Sequence, residues 1–434
     1  MRNQPIARSN STTPGLFGNR NYLLLFSAQI ISMTGSGVTT IGLAIFAHQM
    51  VGGASAAAVI GNALTLRILA FLLFSQPSGM LADRFNRKTI LIISDGLRFG
   101  LLALFPFVTA VWHIYLLIFC INAATAFFTP TFEAMIPEVV GERHYVRALS
   151  LSRVATDIEA LAAPALAGLL LFWLGVRWVF WFDALTYLIS AALVLATVVR
   201  HVPVTRATTS VRQFARELTY GVRVILREAA LRQAILLSLV EATAGAAAIV
   251  GTVVYVKEVL QQSETAFAVV MAGLGLGSTI MALALGRLSG RFEAPSADRI
   301  ELHRRRHRWT TVALLVGAAL LSLLLLPGVW LPSLSLFALL WVFNGAGQAL
   351  IAIASTTLLA EHTFDQDRGR VYAAHFALTH ACWLITYPAI GHSVARYGAP
   401  LTFTVAGVMC AAVVLLAWLI RPRDTARHTH APAT

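Results

Sequence analysis

Five ionisable residues lie near the middle of long apolar stretches of this sequence. They are an arginine, an aspartate, two glutamates and a histidine: Arg67, Asp157, Glu159, Glu241 and His380. A charge at the centre of a lipid bilayer costs at least about 2.5–3.5 kcal/mol, so ionisable residues at that depth usually have a function. Carboxyl and imidazole groups exchange protons, and burial and nearby charges tune that exchange. We therefore treat these residues as candidates for proton coupling.

Spacing along each helix ranks the three acids. Asp157 lies four positions after Arg153, and Asp95 lies three positions before Arg98, so each pair shares a helical face and can neutralise itself. Glu159 points away from Asp157, and Glu241, in SLVEATAGAAAIVG, has no cation within about one helical turn. We expect Glu241 to carry the proton, with Glu159 and Asp157 next in rank.

Arg67 and His380 complete the group of candidates. We expect Arg67 to lie opposite Glu241 on another helix and to stabilise its deprotonated form. A permanent ion pair between these two residues, which never exchanges a proton, remains an alternative. For His380 the alternative is a packing role, because a single histidine inside a helix is often a hydrogen-bonded packing residue.

Composition identifies the setting of these charges. The 434 residues are 57% hydrophobic and 12% charged, whereas about 25% of residues are charged in an average soluble domain. An apolar helix of about 20 residues crosses a bilayer. Twelve such runs can be read from the sequence: 21–48, 55–78, 89–110, 112–135, 148–173, 177–199, 231–257, 265–289, 309–327, 330–358, 371–393 and 398–420. The sequence predicts an all-α membrane protein with twelve transmembrane helices in two six-helix halves.

Charge in the connectors predicts the orientation of these helices. One alternate set of connectors holds few basic residues, namely Arg177, Lys257 and Arg396, and the other set and both tails hold most of the rest. Basic connectors usually lie in the cytoplasm, so we expect both termini there. The net charge of +13 is scattered, which favours contact with anionic lipids over nucleic-acid binding. The three cysteines lie at no metal-ligand spacing, and no cofactor or metal site is predicted.

The predicted organisation has five parts. They are a cytoplasmic N-terminal tail (1–20), a six-helix half (21–199), a cytoplasmic amphipathic linker (200–230), a second six-helix half (231–420) and a cytoplasmic C-terminal tail (421–434). In the linker, apolar residues recur at helical spacing between arginines, which indicates a helix at the membrane surface. A calmodulin-like target is the alternative interpretation of this linker.

The stretch GMLADRFNRK, residues 79–88, lies between the second and third apolar runs. It resembles the signature loop of the major facilitator superfamily, G-x-L-a-D-R-x-G-R-[RK]. ILIISDGLR, TFEAMIPEVV and APALAGLLL resemble further stretches of its proton-driven drug and siderophore exporters, such as the macrolide and enterobactin exporters. The resemblance implies transport by alternating access. Asn86 stands where glycine is usual, and we expect it to adopt a left-handed turn.

The charges of this stretch suggest a conformational latch. Its proposed members are Gly79, Asp83, Arg84, Arg87 and Lys88. We expect them to pair with helix ends and acids of the opposite half in one conformation and to release them in another. The alternative is that these charges only set topology, which explains the basic residues but not the acid.

A substrate cavity is suggested by sparse polar side chains among aromatic ones. The residues we select are Gln29, Asn344, Gln348 and Trp383. Such walls suit an amphipathic ligand, although ordinary helix packing explains any single one of them.

The sequence therefore predicts a monomeric transporter of the bacterial inner membrane, which exports an amphipathic drug or siderophore in exchange for protons and is not an enzyme. A lipid or lysophospholipid flippase on the same fold is the first alternative. A membrane acyltransferase is a remote alternative, suggested by the H-x4-D spacing of His362 and Asp367.

GLGLGS (273–278) lies inside an apolar run and is interpreted as helix packing rather than a nucleotide loop. HRRRHR (303–308) places His303 and His307 one helical turn apart, but with no further ligand it is interpreted as a basic loop at the lipid surface.

Asp83 tests the latch. Replacing it with asparagine removes the charge and keeps the shape, so Asp83→Asn is expected to slow the transport cycle and to leave substrate binding unchanged. Binding and transport by the purified variant check this expectation, and lost binding with normal cycling contradicts it.

Overall fold

The computed structural model describes residues 16–141, 175–198, 211–289, 299–330, 333–363 and 367–420, together with single positions between 144 and 173. Every regular element in these ranges is helical. Ten of the helices in this part of the chain have the length and apolar composition to cross a membrane. A further long helix near the C-terminus and the helical positions described between 144 and 173 fit the predicted twelve. The all-α fold is confirmed.

Most of the described helices follow one another with short connections, and the predicted fifth crossing, which is described only at single positions, is not numbered. In chain order they are α1 (Arg20–Val51), α2 (Ser55–Arg84), α3 (Arg87–Ala103), α4 (Val111–Val140), α5 (Val176–Ala196), α6 (Val211–Arg227), α7 (Ala229–Val259), α8 (Glu264–Ser289), α9 (Arg299–Leu325), α10 (Leu334–Glu361), α11 (Arg368–Tyr397) and α12 (Ala399–Leu419). Helix α6 is the predicted linker helix, and α7 widens into two π-helical turns at Ala247–Gly251 and Tyr255–Val259.

Helices α2 and α11, one from each half, pack antiparallel along a line that we call the seam. A Cβ atom at Gly61 would lie 2.5 Å from the carbonyl oxygen of Tyr387, and one at Gly391 would lie 2.6 Å from that of Ala57. Further along, the rings of Phe71 and Phe376 have centroids 6.1 Å apart. The two backbones therefore touch at one end of the seam because glycines leave room there.

Polar contacts join the halves beyond this end of the seam, at the side of the molecule where α1 ends and α2 begins. We call this side the His48 face. His48 Nε2 lies 2.7 Å from Glu258 Oε1, and Gln49 donates to Glu264 Oε1 over 2.7 Å. The opposite side, where α3 begins, is the Arg87 face. The two halves are thus in contact from the His48 face to the middle of α2 and α11.

Within the second half, α8 and α10 also make backbone contact. A Cβ at Gly277 would collide with the carbonyl oxygen of Val342, and one at Gly345 with that of Leu274. This contact explains GLGLGS as a helix-packing stretch, in agreement with its interpretation from the sequence.

The turn between α2 and α3 differs from expectation. Asn86 has φ −62° and ψ 114°, an extended conformation rather than a left-handed one. Its side chain caps α3 and accepts the Lys88 N–H at 3.0 Å. Asparagine therefore stands here as an N-cap, one of the residues preferred at that position.

The linker helix α6 packs against α11. A Cβ at Gly221 would meet the Arg370 carbonyl oxygen and Ala374, and Ile225 on the apolar face is fully buried. Tyr220 donates to Asp367 Oδ2 over 3.2 Å. Protein thus covers part of the apolar face of the helix, at Ile225, whereas Leu226 is exposed.

The glycine contact in the seam yields a stability prediction. Gly61→Leu inserts a side chain where the helix backbones touch, and overpacking of this kind costs about 1–3 kcal/mol. Gly96→Leu on α3 is the matched control, because no atom lies within 4 Å of a Cβ there. Thermal unfolding of the purified variants is expected to show a lower melting temperature for Gly61→Leu than for Gly96→Leu, and equal temperatures contradict the contact.

Candidate functional site

Arg67 lies on α2 beside the seam and faces both halves of the protein. Its Nη1 is 3.3 Å from Thr40 Oγ1 of α1. Residue pairs along the seam, such as Gly61 with Tyr387 and Phe71 with Phe376, place Arg67 level with His380 of α11. Its charge interacts with His380 and also with Glu159.

The carboxylate of Glu159 packs against α1. Its Oε1 occupies the space that a Cβ at Gly37 would need. Arg67 is the cation whose field reaches this acid, although no ion pair among the described residues includes Arg67 or Glu241 in this conformation. The expected partnership between Arg67 and Glu241 therefore stays a prediction. Asp157 lies outside the described residues.

Glu241 is half-buried in the middle of α7, in the second half, beside α11. Thr386 of α11 donates to the Ala242 carbonyl oxygen over 3.2 Å. The indole ring of Trp383 fills the space beside Gly245, and Cys382 is close enough to interact with the Glu241 charge. Trp383, Cys382 and Thr386 of α11 thus lie beside the part of α7 that carries Glu241.

His380 is held by its own helix. Its Nδ1 lies 2.9 Å from the Phe376 carbonyl oxygen, and its ring stacks on Phe376 with centroids 3.8 Å apart. Both contacts agree with the packing alternative, although the ring also lies level with Arg67.

The predicted cavity residues divide into buried and accessible ones. Asn344 is 0% exposed and accepts a 2.6 Å hydrogen bond from Gln348 on the next turn of α10. Its helix is pressed against α8 at the neighbouring Gly345. Asn344 is therefore a packing residue in this conformation, which corrects its assignment to the cavity wall. Gln29 is half-buried, and its Oε1 has no hydrogen-bond partner among the described residues.

A buried charge cluster in the first half was identified from sequence only as a structural pair. Asp95 and Arg98, spaced i,i+3 on α3, form a buried ion pair, and Ser190 donates to Asp95 Oδ2 over 2.8 Å. The guanidinium group of Arg98 lies between two aromatic rings, 4.2 Å from the centroid of Phe128 and 4.4 Å from that of Tyr187. The i,i+3 spacing was a sufficient signal for this pair.

Asp183 on α5 is an acid that the sequence interpretation did not select. It is 1% exposed, and its Oδ1 accepts from Thr186 at 3.2 Å. The same oxygen fills the space that a Cβ at Gly35 would need. Two acids therefore meet α1 at neighbouring glycines, Glu159 at Gly37 and Asp183 at Gly35. The sequence TGSG in α1 was the signal that could have revealed them.

Two basic residues of the proposed latch, Arg87 and Lys88, have described partners in their own half. Arg87 donates from Nη1 to Glu138 Oε1 at 2.5 Å and to the Ala134 carbonyl oxygen at 2.8 Å. Lys88 donates to the carbonyl oxygens of Leu195 and Thr197, each at 2.7 Å. These described partners belong to α4 and the end of α5, and contact of the latch with the opposite half stays a prediction. Gly79, Asp83 and Arg84 belong to α2, and their side chains lie outside the described residues.

A cavity of about 560 Å³ lies between α7, α11 and α12. Its walls are mostly apolar and include Leu239, Thr243, Tyr397 and Met409. Leu239 and Thr243 flank Glu241 in sequence and point to another face of α7. This cavity is therefore separate from the acidic side chains described above.

Comparison with known proteins gives the following matches. The model of the Major Facilitator Superfamily matches residues 25–300 and 295–434. The MFS-type transporter YkuC of Bacillus subtilis (strain 168) is 27% identical over 190 residues, which cover 41% of this chain and 42% of that protein. Macrolide efflux protein A of Streptococcus pyogenes is 26% identical over 155 residues, covering 34% of this chain and 37% of that protein. The chain thus spans less than half the length of these curated relatives.

Solved structures show the same fold at low identity. The nucleoside transporter NupG has a TM-score of 0.70 at 14% identity, covering 92% of this chain and 98% of that one. A POT family transporter in complex with 5-aminolevulinic acid has a TM-score of 0.71 at 11% identity, covering 94% and 98%.

The buried Arg98 yields a stability prediction. Arg98→Met leaves Asp95 buried without its cation, and breaking a buried pair in this way costs about 3–5 kcal/mol. The double variant Asp95→Asn/Arg98→Met removes both charges and is expected to recover most of that loss. Arg177→Met, at an exposed position, is the control. Thermal unfolding in detergent is expected to show the lowest melting temperature for Arg98→Met, a higher one for the double variant and the highest for Arg177→Met. An Arg98→Met variant as stable as Arg177→Met contradicts the prediction.

Proposed function

The chain belongs to the major facilitator superfamily, and on that premise we propose that it is a proton-coupled exporter of an amphipathic small molecule. That the protein is a multi-pass membrane transporter of this superfamily follows from the family match. Export is supported by the matched stretch of macrolide efflux protein A. Proton exchange and the class of substrate are supported by the arrangement of charges.

The observation that carries the proposal is the position of Arg67 beside the seam. It acts on Glu159 from its own half and lies level with His380 of the other half. Alternating access requires the two halves to separate where they now touch. Arg67 is already exposed in the present conformation, so water screens its attraction for Glu159, and the attraction strengthens where a change of conformation covers the arginine. The charge state of the acid is thereby linked to the conformation of the transporter.

Glu241 supplies the second acid, on the opposite half. A carboxyl group in apolar surroundings is favoured in its neutral form and loses its proton when water or a cation reaches it. The adjacent Trp383 offers an aromatic surface for the apolar part of a ligand. A substrate that is amphipathic, and large enough to contact both halves, fits these groups.

The orientation of the protein in the membrane is proposed from the charge of the connectors. Arg87 and Lys88 belong to the basic set of connectors, and we assign the Arg87 face to the cytoplasm. In the present conformation the described contacts between halves lie toward the His48 face, so we infer that this state is open toward the cytoplasm. Export as the direction of transport rests on the resemblance to the macrolide exporter. A bacterial inner membrane is the location that fits this assignment.

A lipid or lysophospholipid flippase is the second candidate function. The observation in its favour is the cavity of about 560 Å³ between α7, α11 and α12, whose walls are mostly apolar. An acyl chain fits such walls, and Thr243 and Tyr397 at its rim are polar groups for a headgroup. Acyl transfer, the third candidate, has less support: Asp367 contacts Tyr220 and Arg370, and the matched family and relatives are transporters.

Inverted membrane vesicles with an imposed pH gradient test the proposal. A screen of labelled macrolides, other drugs, siderophores and phospholipids is expected to show gradient-dependent uptake of one amphipathic compound. Glu241→Gln is expected to reduce that uptake at least about tenfold, because a group that transfers a proton typically contributes at least a hundredfold to the step it serves.

Glu228→Gln is the matched control for this experiment. Glu228 lies at the start of the same helix, before its first turn, and makes no capping hydrogen bond there. Its replacement is expected to leave uptake unchanged. Gradient-driven uptake that survives Glu241→Gln removes this residue from the mechanism. If labelled phospholipid is transported and none of the drugs or siderophores is, the flippase replaces the exporter as the proposed function.

A further inference from the structure

Three side chains with metal-binding atoms meet at the Arg87 face of the second half. They are His307 on α9 and Glu361 and His362 at the end of α10. One ligand atom from each residue lies within 4.8 Å of the other two. The imidazole rings of His307 and His362 have centroids 5.0 Å apart. All three residues are half-buried.

The end of α10 fixes the orientation of one of these rings. His362 is the C-cap of the helix, and its backbone N–H donates to the Leu358 carbonyl oxygen. Its Nδ1 also lies 3.0 Å from that oxygen. Nδ1 therefore carries the proton, and the lone pair is on Nε2. Metal-binding histidines commonly hold their second nitrogen in this way, bonded to a backbone carbonyl.

We propose that His307, Glu361 and His362 form a binding site for a divalent transition-metal ion such as Zn²⁺. Two imidazole nitrogens and one carboxylate oxygen are a usual ligand set for zinc, with water completing the tetrahedron. With bonds of about 2.0–2.1 Å, tetrahedral ligands lie about 3.4 Å apart. Small side-chain rotations reach that separation from the present positions. Calcium and magnesium, which prefer oxygen ligands, do not match this set.

The Glu361 carboxylate is the negative charge among the three ligands, and it compensates half of the charge of a divalent ion. Both histidines bind in their neutral forms, so affinity is lost when acidic pH protonates them.

The rigidity of the two helices supports the site as well. A Cβ at Gly317 of α9 would lie 3.1 Å from the Gly347 carbonyl oxygen of α10, so the helices are in close contact along their length. His307 and His362 are 55 positions apart in sequence and are brought together by this contact. The sequence had paired His307 only with His303, one turn earlier, and supplied no third ligand.

The ion would join the first turns of α9 to the last turn of α10. Both lie at the face where a transporter of this fold opens and closes. The site is independent of the substrate and of proton coupling, so its test does not depend on the proposed function.

Metal binding to the purified full-length protein, free of affinity tags, tests the site. The probes are Zn²⁺ by isothermal titration calorimetry and Co²⁺ by its visible absorption, both in detergent at neutral pH. His428→Ala/His430→Ala serves as the background, because the C-terminal tail contains these two further histidines. One ion per chain is expected to bind, with the intense absorption of tetrahedral Co²⁺.

The ligand variants are Glu361→Gln, His362→Gln and His307→Ala. Each is expected to weaken binding at least about tenfold, since loss even of an outer-shell partner costs 10- to 100-fold. Zinc is also expected to raise the melting temperature of the background protein and not that of Glu361→Gln.

His392→Ala is the matched control for these variants. His392 also holds its Nδ1 against a backbone carbonyl, that of Pro388 at 2.8 Å, and is exposed at the other end of α11. Its replacement is expected to leave binding unchanged. If His307→Ala does not fold, the result for Glu361→Gln decides whether the site binds metal, because this replacement keeps the shape of the side chain. Equal binding by Glu361→Gln and the background protein, or no binding by either, overturns the proposal.

Discussion

The structure depends on one constraint: a charge placed in the apolar interior of a membrane must be compensated by other groups of the protein. The first half meets this constraint permanently at Asp95 and Arg98, whose ion pair is closed off by Ser190 and by the rings of Phe128 and Tyr187. Arg67 meets it through residues of several elements, Thr40, Glu159 and the seam. Glu241 meets it without a cation among the described residues. The three cases differ in how fully the charge is compensated: by an ion pair at Asp95 and Arg98, by several residues at Arg67, and by no described cation at Glu241. This difference separates structural charges from those suited to change during transport.

Glycines decide where these charges are placed. Gly35 and Gly37 of α1 leave room for the oxygens of Asp183 and Glu159, and Gly61 leaves room for the backbone of α11. The same small residues thus serve two purposes, close approach of helices and access for carboxylates. A side chain at either α1 position would displace an acid and change its distance to Arg67.

The sequence predicted the helices well because a bilayer imposes a long apolar run on each crossing, and Asp95 with Arg98 because both lie on one helix. It failed where the answer depends on how helices rotate against each other. Arg67 was expected to pair with Glu241, and its described contact is with Thr40 of α1, so the pairing with Glu241 stays a prediction. Asn344 was assigned to a cavity, yet the approach of α8 to Gly345 buries it. His307 was dismissed for lack of ligands that a different helix provides. Spacing along one helix is a local property, whereas these contacts depend on the register between helices.

The contacts at the His48 face have a consequence for how the present conformation responds to its surroundings. His48 with Glu258 and Gln49 with Glu264 join the halves through side chains in contact with solvent, and Glu258 is 43% exposed. An exposed ion pair contributes about 0.2–1 kcal/mol and is screened at ordinary ionic strength, and of these two contacts only His48 with Glu258 can be an ion pair, when the histidine is protonated. The closed side is therefore held mainly by glycine packing in the seam, with a small part that varies with dissolved salt. A change from a dilute to a saline medium would thus weaken this side of the protein slightly without any change in substrate.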